Sequence, residues 1–190
     1  QKVRNGRAKN VILFLGDGLS NATIAASRIF EAQRRGESGE ENRLSFEDFP
    51  FTALSRTYSV NQQTSDSAPT MSAIMTGVKT DEGIISVDQN VVEGDHRTVK
   101  GNETRTLIEY AEETGRSTGV VTTTRLTHAT PAACYAHSAD RDWESDSDIF
   151  TRNKDAHASG FPDIARQLIE FPYGDGLEVA LGGGRTKFLP

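Results

Sequence analysis

The stretch QQTSDSAPTMSAIMTGVKT, residues 62–80, sets Asp66 directly against Ser67. It passes from small polar residues into a helical pattern, with Pro69 favourable in a first turn and Gly77 closing the segment. A helix N-terminus offers free backbone N–H groups and the positive end of a dipole, so a serine there can attack an anionic group that those donors hold. Its hydroxyl is a poor nucleophile at neutral pH and needs a neighbouring base or a metal. The plainer reading makes Ser67 an N-cap. Asp17 stands in GDG, where Gly16 and Gly18 let the backbone turn tightly and a large ion approach. Its carboxylate either holds a cation or caps the helix that follows. TTTRLTHATPAACYAHSADRDW, residues 122–143, brings His128, Thr130 and Arg141 after a strand. The planar fork of Arg141 can grip a pair of anionic oxygens, or else pair in solvent with Asp140 or Asp142.

These residues need a scaffold that gathers them. VILFL, residues 11–15, is a continuous apolar run that predicts a buried parallel strand, with a helix following over about 20–35. FTALSRTYS predicts a second strand, ETRTLIEYAEET a helix closed by Gly115, and STGVVTT another buried strand. Pro162 opens a helix through DIARQLIEF, and LEVAL gives a last strand before GGGR. Strands alternating with helices imply an α/β fold with a largely parallel central sheet flanked by helices, in which ligands collect beyond the carboxyl ends of the strands. The polar stretch 138–160 reads as a long loop. No internal boundary is visible, so residues 1–190 are read as part of one domain.

Composition narrows the function classes. The 190 residues carry 27 acidic against 21 basic side chains, a net charge of −6, which argues against a nucleic-acid surface. No window of about eighteen apolar residues is present to span a membrane. Cys134 is the single cysteine and closes no intrachain disulfide. NAT at Asn21 and NET at Asn102 fit the short glycosylation acceptor pattern.

Taken together, the motifs resemble the alkaline phosphatase family over nearly all of residues 9–186. NVILFLGDG is similar to its first strand with a metal-binding aspartate, SDSAPTMSAIMTGVKT to its nucleophile segment, and HATPAACYAHSADR to the stretch with its magnesium-side residues and phosphate-binding arginine. LGGGR is a further match. The resemblance implies that Ser67 attacks phosphorus to give a phosphoserine, that Arg141 holds two phosphate oxygens and that Asp66 positions Arg141. It further implies that Asp17 bridges a zinc ion and the magnesium ion, that Thr130 lends its hydroxyl to magnesium, and that His128 stands behind that site without ligating directly. Two Zn2+ and one Mg2+ are the implied cofactors, and phosphate monoesters the substrates, with inorganic phosphate as product and inhibitor. The family's zinc ligands come mainly from positions beyond Pro190, so the chain looks like an N-terminal part of the enzyme, with little turnover expected of it alone. Asp95-His96 imitates a zinc-binding pair but reads as a surface loop, and His137 and His157 are expected to have no metal role. Pro69 stands where the family often has a small non-proline residue, and leaves the helix start open. The family points to a periplasmic or extracellular location and leaves a homodimer open. The alternatives are a phosphomutase or phosphodiesterase cousin, a sulfatase of the same superfamily, which SAPT without a following arginine fits poorly, and a non-catalytic phosphate- or partner-binding piece.

Overall fold

The computed structural model describes residues 8–189, which form two compact units divided after Arg56. In the first unit, helix α1 (Asn21–Gln33) starts at Ser20, whose Oγ accepts from the Thr23 N–H at 3.2 Å. Ser20 is therefore the cap, and Asp17 lies before it in an exposed turn where Gly18 takes φ +67°. A short 3-10 helix, Ser45–Asp48, is tied to α1 through the Arg28–Glu47 ion pair, and Asn42 donates to the Arg28 carbonyl at 3.0 Å.

Two expected strands are corrected. VILFL forms no ladder among the described residues, and Val11 and Phe14 are 85% and 88% exposed. FTALSRTYS is likewise unpaired, with Ser59 alone of its residues buried. An apolar run becomes a strand only when a neighbouring backbone takes up its N–H and C=O groups, a condition that periodicity does not report.

In the second unit, β1 (Gly119–Arg125) and β2 (Val179–Gly183) pair in parallel, with Gly119 opposite Val179 and Val121 opposite Leu181. Helices flank this pair: α2 (Ser67–Thr76), α3 (Leu107–Glu113), α4 (Ala129–Ala132), α5 (Asp146–Arg152), α6 (Lys154–Ala158) and α7 (Ile164–Ile169). The fold is α/β with a parallel pair of strands, as the alternation predicted. α3 is fixed by a capping box between Thr106 and Glu109. The helix expected from Pro162 starts two residues later, capped by Asp163.

The expected loop over 138–160 is also corrected, because it contains α5 and α6. Each helix turns a single buried residue inward, Ile149 and Ala156, to join Trp143, Ile84 and Val87 in one apolar cluster. A second cluster holds Ala68, Met71 and Met75 of α2 against Ile85, Val120, Tyr135 and Ile164. Cys134 lies in it, and burial pushes its thiol up to about 12.

Candidate active site

The segment that carries Ser67 folds as its residue types require. Asp66, with φ −85° and ψ −177°, is the N-cap of α2, its Oδ1 accepting from the Ala68 N–H at 3.0 Å. Ser67 is the first residue of the helix and does not cap it. Pro69 sits in the first turn, buried, where a missing N–H disturbs no intrahelical bond. Gly77 closes α2 with φ +75°, in the left-handed region that a side chain disfavours. The buried Ser72 donates to the Ala68 carbonyl at 2.7 Å and accepts from the Ser86 N–H at 2.8 Å, fastening α2 to the segment that runs beneath it.

Arg141 comes from 74 residues along the chain from Ser67. Its Nη1 donates to Asp66 Oδ2 at 2.5 Å and to Ser67 Oγ at 3.1 Å. Its Nη2 donates to His128 Nε2 at 3.2 Å, and because a guanidinium only donates, that ring nitrogen carries no proton. One arginine thus gathers Asp66, Ser67 and His128. Its backbone is held as well: Ile85 and Ser138 exchange both N–H···O bonds, at 2.9 and 3.0 Å, and the Arg141 N–H continues that contact onto the Gly83 carbonyl at 2.7 Å. On its outer side Asp142 pairs with Arg152 at 2.9 Å.

The arrangement has a chemical consequence at the helix start. Asp66 takes the Ala68 N–H and Pro69 has none, so fewer backbone donors face an incoming anion than the sequence suggested. Arg141 is the cation at hand. Around it the carboxyls crowd: burial raises Glu93 above the usual carboxylate range, and the charges of Asp140, Asp66, Glu82 and Asp142 add to the effect. Burial raises Asp140 as well.

His128 stands at the N-cap position of α4 without a side-chain capping bond, and Thr130 is a half-buried residue of that helix. Asp17 belongs to the first unit and Asp66, Ser67, His128, Thr130 and Arg141 to the second. Asp95 takes the Arg97 guanidinium, which holds its carboxyl down to about 2, and His96 meets Phe161 edge-on at 6.0 Å. Sequence reasoning missed Glu82. Its carboxylate accepts from the Asp66 N–H at 3.0 and 3.2 Å and from the Ser65 hydroxyl at 3.1 Å. The one sequence cue was its place in KTDEG, just after α2.

As for fit to metals, the exposed Asp17 carboxylate and the Thr130 hydroxyl are hard oxygen donors of the kind magnesium takes. The Nε2 of His128, occupied by Arg141, suits a histidine standing behind a metal. Zinc asks for more nitrogen or carboxylate donors, and among the described residues no three His, Cys, Asp or Glu converge to supply them.

Comparison with known proteins agrees with the motifs. The family described as Alkaline phosphatase matches residues 8–190. The chain is 46% identical over 191 residues to the alkaline phosphatase of Gadus morhua, covering 100% of this chain and 39% of that protein. It is 45% identical over 190 residues to the tissue-nonspecific isozyme of Homo sapiens, covering 100% of this chain and 35% of that one. Among solved structures, a cold-active alkaline phosphatase from the psychrophile Shewanella sp. superposes with a TM-score of 0.64 at 29% identity, over 92% of this chain and 36% of that chain. The chain therefore spans less than two-fifths of the length of these relatives, and within that span it belongs to the alkaline phosphatase family.

Proposed function

We propose that the full-length protein hydrolyses phosphate monoesters through a covalent phosphoserine at Ser67, and that residues 1–190 are the N-terminal part of its single catalytic domain. The observation that carries this reading is the Arg141 Nη1 shared between Asp66 and the Ser67 hydroxyl. A phosphate oxygen arriving at that nitrogen takes the place of Ser67 Oγ, which frees the hydroxyl oxygen beside the phosphorus, while Asp66 keeps the guanidinium aimed. The new Oγ–P bond forms as the ester P–O bond breaks; the serine proton is released and the leaving alcohol is protonated. Water then cleaves the phosphoserine, and inorganic phosphate leaves Arg141, where it also competes with substrate.

Zinc, when bound, would lower the pKa of the serine hydroxyl and stabilise the leaving oxygen, and magnesium would add positive charge. By the family relationship, Asp17 of the first unit and Thr130 of the second are the residues of this chain that would each offer oxygen to metal, and His128 would not ligate directly. The family relationship supports a periplasmic or extracellular location. No helix among the described residues is long and apolar enough to cross a membrane.

Rapid mixing of the full-length protein with a labelled phosphate ester, followed by acid quench, is expected to trap label on Ser67. Label on another residue, or none during steady turnover, overturns the assignment.

A further inference from the structure

We propose that Glu82 is a positioning residue that, with Gly83, sets Ser67 and Arg141 at their working separation; the inference rests on the phosphoserine reading above. The two sides of the site come from distant parts of the chain, the cap of α2 and the strand-like segment ending in Arg141. The dipeptide Glu82-Gly83 touches both. The Glu82 carboxylate takes the Asp66 N–H with both oxygens, at 3.0 and 3.2 Å, and the Ser65 hydroxyl at 3.1 Å. One residue on, the Gly83 carbonyl takes the Arg141 N–H at 2.7 Å. The dipeptide is itself anchored: the Glu82 N–H donates to Asn61 Oδ1 at 2.9 Å, and Ile85 is paired with Ser138.

Fixing the Asp66 N–H fixes the peptide plane from which the Asp66 side chain projects. That side chain puts one oxygen on the Ala68 N–H and the other on Arg141, so a small rotation of the plane moves the cap, Ser67 and the guanidinium together. A carboxylate suits the task better than an amide, because two acceptor oxygens are needed for an N–H and a hydroxyl arriving side by side. It does so although it adds a negative charge beside Asp66 and Glu93, whose carboxyl it helps to raise.

The test uses the full-length protein with Glu82→Gln, alone and combined with Arg141→Ala. Three quantities are read: the rate of acid-quench labelling at Ser67, the inhibition constant of inorganic phosphate and the thermal midpoint. Glu82→Gln is expected to keep a near wild-type midpoint, slow labelling about tenfold and weaken phosphate inhibition about tenfold, since slight misplacement at a reacting centre is amplified in rate. In the Arg141→Ala background the effect of Glu82→Gln on phosphate inhibition is expected to fall below about twofold, because the two residues act on one contact. Equal effects in both backgrounds, or unchanged labelling and inhibition, overturn the proposal. If Glu82→Gln does not fold, Asn61→Ala, which removes the acceptor of the Glu82 N–H and of the Ser59 hydroxyl, is expected to slow labelling in the same direction, and wild-type kinetics there overturn it. Label on a residue other than Ser67 in the wild type defeats the phosphoserine reading and this inference with it, whereas normal labelling with an indifferent Glu82→Gln defeats this inference alone.

Discussion

Arg141 organises the site because a guanidinium presents its donors in one plane, and here that plane meets a carboxylate, a hydroxyl and an imidazole at once. Arg141→Ala is expected to raise the inhibition constant of inorganic phosphate and lower kcat/KM by about 1.5–3 kcal/mol, the worth of a charge-assisted contact. Steady-state kinetics with phosphate as inhibitor check this, and unchanged inhibition would remove Arg141 from the phosphate site. His128 invites a second substitution. Its unprotonated Nε2 is a softer and neutral acceptor, whereas a carboxylate there offers magnesium hard oxygen and charge. In the full-length protein His128→Asp is expected to tighten magnesium binding about 10–100-fold while leaving Ser67 labelling intact, the range typical for groups that stand behind a metal. Magnesium titration of metal-depleted enzyme decides it, since superimposable curves for wild type and variant would mean that His128 does not face that site. Asp66, Ser67, His128 and Arg141 were singled out in the sequence by the resemblance of their motifs to the family, no one side chain being decisive by its type, and the structure brings the four together. Glu82 was not, because it works on a backbone N–H, which every residue but proline carries.

Legibility at the level of elements followed how local each element's causes are. α1, α3 and α2 were legible as helices, but their caps are Ser20, Thr106 and Asp66, where the sequence had offered Asp17 for α1 and Ser67 for α2, because neighbouring polar residues compete for a cap that only backbone geometry decides. β1 was readable as a strand and found its parallel partner in β2, but the burial expected of it is corrected, since Val120 alone of its residues is buried and every residue of β2 is exposed. VILFL carried the same apolar signal without a ladder among the described residues, while α5 and α6 were hidden because a helix with one buried residue has no periodicity to show. The join between α3 and the chain leading to Arg141 depends instead on a long-range pair that no window reveals. His137 Nδ1 meets the Ser86 carbonyl at 2.6 Å and Nε2 meets a carboxyl oxygen of the buried Glu109 at 2.7 Å, an arrangement that favours the imidazolium, in which both ring nitrogens donate. Burial opposes that charge, but the Glu109 hydrogen bond and charge, the Ser86 carbonyl and the charge of Glu103 outweigh it, and the pKa of His137 lies above its ordinary value. A folded-state pKa raised in this way stabilises the fold fully below the unfolded value, near 6.5, and the stabilisation is lost as pH rises through the folded value. Urea unfolding of the full-length protein across that range is expected to show a downward slope in stability that His137→Gln flattens. Parallel pH profiles for the two proteins would show that the pair does not titrate there.

For the whole molecule the question is which part of the chemistry these residues can perform by themselves. On the proposed reading, the phosphate-facing half lies within the second unit: Ser67 as nucleophile, Asp66 as its cap, Arg141 and the dipeptide Glu82-Gly83. The zinc-facing half asks for imidazoles and carboxylates in a tetrahedral set, and the four histidines of the chain are otherwise engaged. His137 is held by Ser86 and Glu109, His157 by Asp146 at 3.1 Å, His128 by Arg141, and His96 lies beside an aspartate already paired with Arg97. The lone Cys134 is buried with its thiol protonated, so it offers no thiolate. Residues 1–190 expressed alone are therefore expected to retain less than about one tightly held zinc ion, against about two in the full-length protein if a two-metal displacement operates. Equilibrium dialysis with zinc counts both. Two stoichiometric, tightly held ions on residues 1–190 would mean that the ligands lie inside this segment, that the histidine pairings give way to metal, and that the division between a phosphate-facing and a zinc-facing half is wrong.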